Sequence, residues 1–132
     1  MLKKYYVVLL VSVSLFLVSC DNLDPEEIRQ RQHFPGKNFV ADVQQGRALF
    51  VANCSQCHGP AGHGTGQGPP LVDKIYRAAH HADITFHWAV KNGVKQHHWG
   101  FGDMPPIGNV SPEDVGHIIA YIRQQQRNAG IQ

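Results

Sequence analysis

Two cysteines separated by two residues and followed at once by a histidine, Cys54-Ser55-Gln56-Cys57-His58, constrain this chain more than any other feature of it. Two thiols at that spacing can add to the two vinyl groups of a single haem, and a histidine directly after the second thiol then lies under the iron as its proximal ligand. All three groups are used. A thioredoxin-like redox pair, a structural disulfide or half of a zinc site would use the cysteines alone. The redox pair belongs in a longer βαβ chain, and the zinc site wants a second Cys pair that the sequence lacks. One haem c, held covalently through Cys54 and Cys57, is the expected cofactor, and its attachment requires export from the cytoplasm.

The first residues have the form of an export signal. Lys3 and Lys4 precede an apolar run from Tyr5 through Val18, which is short against the about 20 residues of a membrane span. The run closes on Leu17-Val18-Ser19-Cys20, which resembles the bacterial lipobox, so residues 1–19 are read as a lipoprotein signal peptide and Cys20 as the lipidated mature N-terminus. An ordinary signal cut nearby or an uncut anchor would also put the domain outside the cytoplasm. Acyl chains on Cys20 would contribute about 0.8 kcal/mol per buried CH₂, enough to anchor the chain without a helix in the bilayer. Asp21 resembles the residue that in enteric bacteria keeps lipoproteins on the inner membrane, so the periplasmic face of that membrane is the expected location. Residues 20–40 then read as the lipidated Cys and a tether: they are polar, with Pro25, Pro35, Glu26 and Glu27 and no sustained apolar period. Fully extended, such a tether reaches at most about 70 Å, and Phe34, Phe39 and Val40 offer it alternative docking contacts on the domain.

A chain of 132 residues points to one folded domain. Its Lys+Arg count of 12 against 10 Asp+Glu loses Lys3 and Lys4 with the signal, leaving the mature polypeptide formally neutral. That balance excludes the clustered basic excess of a nucleic-acid binder. The 9 His and 13 Gly place the interest in a site more than in a large core.

Around the motif the pattern is helical. Asp42 is a plausible N-cap with Gln45 three residues on, and Val43, Phe50 and Cys54 then fall at helical spacing. Near the other end Ser111-Pro112-Glu113-Asp114 supplies an N-cap, a Pro at the first helical position and acids in the first turn. Val115, Ile118, Ile119 and Ile122 follow on one face. A short helix is expected over Ala82–Gly93, capped by Asp83 and closed by Gly93. The Gly-rich stretch 59–68 lacks the Gly-Lys-Ser/Thr ending of a phosphate loop.

In this order, over residues 41–132, the chain resembles the class I, mitochondrial-type c-type cytochromes. The resemblance implies an all-α fold whose N- and C-terminal helices cross around one covalently bound haem. Gly46 then stands where the family has a small residue for helix crossing, Phe50 where it has an aromatic near the haem, and Tyr121 where an aromatic packs across the first helix. Gly68-Pro69-Pro70-Leu71 looks like the loop in which a proline carbonyl, here that of Pro69, accepts the proximal His Nδ1–H while Leu71 packs on the haem. Met104, the single Met left after the signal is removed, lies in Asp103-Met104-Pro105-Pro106, which resembles the family's Met-Pro loop and makes it the sixth iron ligand opposite His58. His63, His80, His81, His97 and His98 are its rivals for that position. Trp88, Trp99 and Phe101 are expected to line the haem, with Trp99 and Tyr76 as candidate donors to a propionate. His80-His81 and His97-His98 depart from an ordinary small cytochrome c. A second metal site, pH tuning of the haem and plain surface histidines all remain open for them.

With both axial positions filled by protein, the implied role is one-electron transfer rather than catalysis, between redox proteins such as an oxidase, a dehydrogenase or a reductase. A labile Met104 would instead allow a gas sensor or a small-molecule redox enzyme, and a metal-handling protein is a further reading of the His pairs.

Overall fold

The computed structural model describes residues 24–132. Residues 1–19, read above as a signal peptide, and Cys20 and Asp21 lie outside the described residues. The described residues form five α-helices in order, α1 (Pro25–Arg31), α2 (Val43–Asn53), α3 (Ser55–His58), α4 (Asp83–Asn92) and α5 (Pro112–Asn128), with a 3₁₀ turn at Lys74–Tyr76. The described residues form no strand; an isolated antiparallel bridge joins Val94 to Met104.

α2 and α5 make the frame. Asp42 caps α2 by accepting from the backbone N–H of Gln44 and Gln45 at 2.7 and 2.9 Å. Gln45 does not return the bond: the Asp42 N–H donates instead to His117 Nδ1 at 2.8 Å, so the start of α2 is pinned to α5. α5 begins with a complete capping box between Ser111 and Asp114 and Pro112 at its first position. The helices cross at Gly46, where a Cβ would collide with the carbonyl oxygen of His117. Side chains interlock on either side of this contact. Phe50, Val115 and Ile122 are fully buried, and Ile118, Ile119, Tyr121, Val110 and Val90 complete the core. Phe50 and Tyr121 meet with ring centroids 5.5 Å apart.

The segment read as a tether is partly folded onto this frame. α1 is capped by Asp24 and starts at Pro25, and the residues after it dock. The Trp88 indole N–H donates to Gln32 Oε1 at 3.0 Å, Lys91 Nζ bonds the Arg31 carbonyl, and the Gly36 N–H donates to Glu113 Oε1 at 3.1 Å. Phe34 sets its ring edge-on to His87, and Phe39 does the same to His117, while Val40 stays exposed. The reason is long-range: each contact is made with α4 or α5, and none shows in the polar local pattern.

The cap of α4 also differs from expectation. Ala82 is the N-cap, without a side-chain bond, and Asp83 is the first helical residue. Asp83 is drawn away by Arg123, whose Nε lies 2.8 Å from its Oδ1. At the other end Gly93 (φ +73°) does close the helix.

Candidate haem site

The backbone places the thiols and the imidazole together. Cys54 ends α2 and opens α3, its carbonyl accepting from the N–H groups of Cys57 and His58 at 3.2 and 2.9 Å. This single turn carries the whole Cys-x-x-Cys-His segment. Both cysteines are free thiols. Burial, together with the neighbouring Cys57, pushes the Cys54 thiol up to about 11. A redox dithiol or a zinc thiolate needs the opposite shift.

His58 is buried, and its Nδ1–H donates to the Pro69 carbonyl at 2.9 Å. A carbonyl can only accept, so this bond fixes the tautomer and leaves Nε2 with its lone pair free for a metal. Burial lowers the imidazole's proton affinity, opposed by the Pro69 bond. The loop that delivers Pro69 is itself tied to α3: the Thr65 hydroxyl donates to the Cys57 carbonyl at 2.6 Å and the Gly64 N–H to the His58 carbonyl at 2.7 Å. Leu71 packs against the core.

Met104 is held by its backbone. Its N–H and carbonyl both pair with Val94 at 2.9 Å, and the Ile107 N–H donates to Val90 O at 2.8 Å, so the two Pro residues run along the end of α4. Gly93 makes room for this: a Cβ there would lie 2.5 Å from the Met104 carbonyl oxygen. The loop 95–103 is braced at its neck by Lys95 and Asp103, whose ion pair spans 2.5 Å, and by the Gln96 N–H donating to the same carboxylate at 3.0 Å.

The aromatics divide. Tyr76 and Trp99 come together, and burial raises the Tyr76 pKa. Trp99 packs near Phe101, with centroids 6.3 Å apart. Trp88 does not join them; its indole is committed to Gln32, and it stands 42% exposed beside the docked N-terminal segment. The rival histidines divide as well. His63 is exposed on its own loop, whereas His80, His81, His97 and His98 cluster beside Tyr76.

The family model described as cytochrome C oxidase, cbb3-type, subunit III matches residues 41–122. The chain belongs to this family of c-type cytochromes. The cytochrome is 31% identical over 90 residues to cytochrome c6 of Aphanizomenon flos-aquae, a match covering 67% of this chain and 95% of that one. It is 30% identical over 95 residues to the cbb3-type cytochrome c oxidase subunit CcoP of Rubrivivax gelatinosus. That match takes in 67% of this chain and 28% of CcoP, so the chain spans less than a third of that relative's length. Cytochrome CL of Methylophaga aminisulfidivorans MPT superposes with a TM-score of 0.47 at 23% identity, over 81% of this chain and 70% of that one.

The cytochrome is thus an all-α, class I c-type cytochrome that carries covalent haem c, with Cys54 and Cys57 at the attachment spacing. The residues fit the group: free thiols, an imidazole with Nε2 released by the Pro69 bond, and a buried Trp99 Nε1 without an acceptor among the described residues, as a propionate donor requires.

Sequence reasoning missed the pair that holds this region together. Arg123, buried on α5, donates to the carbonyls of Tyr76 at 2.6 Å and His81 at 2.5 Å, and to Gln126 Oε1 at 2.8 Å. Gln126 Nε2 in turn donates to the carbonyls of Leu71 and Tyr76 at 2.8 and 3.0 Å. An Arg and a Gln three residues apart near a helix end read as solvent-facing, and only their position on the Ile119–Ile122 side of α5 hinted otherwise.

Proposed function

We propose that this cytochrome is a lipid-tethered carrier at the periplasmic face of a bacterial membrane. It shuttles single electrons between redox proteins, with His58 and Met104 as the axial ligands. When bound, the haem supplies a one-electron ferric/ferrous couple, and methionine opposite histidine raises its potential. The observation that carries the reading is the clamp on Met104. Two backbone bonds to Val94, a glycine cleared for its carbonyl and a braced loop neck hold the backbone of half-buried Met104 in place. A residue so fixed makes a durable ligand and keeps small molecules from the sixth position.

His58, held through Pro69, would be fixed in orientation as an iron ligand. Cys57 is exposed and Cys54 half-buried, which puts the attachment edge at the surface, where a small interface suited to fast turnover can form. The near-neutral polypeptide sets up no strong steering field. One relative is a subunit of a cbb3-type oxidase, which supports a terminal oxidase as one partner class. Among the described residues no helix is long and apolar enough to cross a membrane, and Cys20 supplies the anchor in this reading.

Difference spectra of membranes expressing the full chain test it. The reading expects a c-type signal that pellets with the membranes, is reduced on adding a respiratory substrate and is reoxidised by oxygen. It also expects Cys20→Ala to move that signal to the soluble fraction with its spectrum intact. A signal that stays with the membranes in Cys20→Ala, or whose redox state ignores substrate and oxygen, would contradict the reading.

A further inference from the structure

The four histidines that depart from an ordinary small cytochrome c come from two loops far apart in sequence, and the fold makes them one group. His80 and His98 stand 5.3 Å apart by ring centroid, His81 and His98 5.2 Å, His80 and His81 4.8 Å, and His97 and His98 4.3 Å. We propose that His80, His81 and His98 form a second metal site, distinct from the haem iron, for an imidazole-preferring late first-row dication, zinc or copper(II).

The ligand atoms come first. One nitrogen from each of His80, His81 and His98 lies within 4.8 Å of the other two. Nitrogens on a tetrahedral ion with bonds of about 2.0–2.1 Å stand roughly 3.4 Å apart. The remaining closure takes only side-chain rotation, and two of the three rings are exposed and free to turn. Adjacent residues seldom share an ion, but here residues 77–81 form a tight turn. The N–H groups of both His80 and His81 donate to the Arg77 carbonyl, at 2.9 and 2.8 Å, and this brings the two rings edge to face.

The second observation is the support behind the rings. His81 Nδ1–H donates to the Ile75 carbonyl at 2.7 Å, leaving Nε2 as the ligand atom. His97 makes the same kind of bond to the Lys95 carbonyl at 2.8 Å and packs against His98. A backbone carbonyl on the far nitrogen is the usual partner of a metal-bound histidine. Arg123 grips the His81 carbonyl from α5, and the Lys95–Asp103 brace closes the loop bearing His98, so both halves of the site are anchored.

Ligand chemistry selects the ion. Three neutral nitrogens with no thiolate or carboxylate suit zinc or copper(II) over magnesium, calcium or copper(I). A tris-imidazole set also leaves a coordination position for water.

The test uses the haem-loaded protein, oxidised and free of any polyhistidine tag, dialysed to equilibrium against zinc sulfate and, separately, copper(II) sulfate. One equivalent of at least one of the two ions is expected to bind. A His80→Ala/His81→Ala/His98→Ala variant should weaken binding by about 100-fold or more with its haem spectrum unchanged, and His63→Ala should bind as the parent does. In the copper arm, electron paramagnetic resonance should show nitrogen hyperfine structure that the triple variant loses. Absence of stoichiometric binding by the parent, full binding by the triple variant, or equal loss in His63→Ala would overturn the proposal. Should the triple variant not fold, His98→Gln is read by the same criteria. A changed haem spectrum in folded His98→Gln would mean that the histidine binds the haem iron, and would overturn it too.

Discussion

Gly46 shows how much one absent side chain can decide. In an isolated helix, replacing it by Ala would gain about 1 kcal/mol. Here the new methyl group would meet the His117 backbone, which has no rotamer to escape into. Gly46→Ala is therefore expected to lower stability by about 2 kcal/mol or more despite its better propensity, and denaturant unfolding of the haem-loaded protein measures it. Stability equal to or above the parent would place the helix crossing elsewhere. This glycine was legible through the resemblance to the class I cytochromes, which also singled out Pro69, whose carbonyl accepts from His58. His117 was not legible. Its Nδ1 accepts from Asp42 and its ring packs on Phe39, partners 75 and 78 positions away, so nothing near it in sequence marks it as structural.

The helices differ in how openly they are written. α5 carries its start in Ser111-Pro112-Glu113-Asp114 and its buried face in four regularly spaced apolar residues, so local chemistry and tertiary packing agree. α1 and the docked strand of chain after it have no such internal agreement, and Trp88 was drawn there by Gln32 rather than toward Trp99. The loop holding Met104 depends on Gly93 in the left-handed region (φ +73°) and on close approach to the Met104 carbonyl. Gly93→Ala should loosen the loop and reduce the Met-ligated fraction, read as a weaker sulfur-to-iron band in the ferric spectrum; an undiminished band would show that the clamp is not needed. Arg123→Met would leave the His81 carbonyl without its donor and the Tyr76 carbonyl with Gln126 alone, at a cost of about 2–4 kcal/mol. The accompanying rise in hydrogen exchange should centre on residues 72–83, and exchange spread evenly over the chain would contradict that placement.

At the scale of the molecule, the core among the described residues is small: eight buried apolar residues, five of them on α5. Haem is expected to complete it. A Cys54→Ala, Cys57→Ala variant should lose most of its far-ultraviolet helical signal, and native helicity without haem would contradict the expectation. Acid should act on the whole fold through His87. Burial, with His33 beside it, depresses its pKa from the ordinary 6.5 to about 4; Asp83 and Glu113 oppose the shift, and Lys91 acts on His33. Between those two values the unfolded chain binds the proton and the folded one does not, so stability is full above pH 6.5 and falls as the pH drops toward 4. Thermal unfolding across that range checks it, and His87→Leu should flatten the slope.

The most direct test of the central claim, a carrier closed at both axial positions by His58 and Met104, is the visible and near-infrared spectrum of the haem-loaded protein. It would be recorded oxidised, and then reduced with and without carbon monoxide. The account predicts a weak long-wavelength sulfur-to-iron band that vanishes in Met104→Ala and a reduced spectrum that carbon monoxide leaves unchanged. A missing band together with ready binding of carbon monoxide would contradict it and leave the iron open to small ligands.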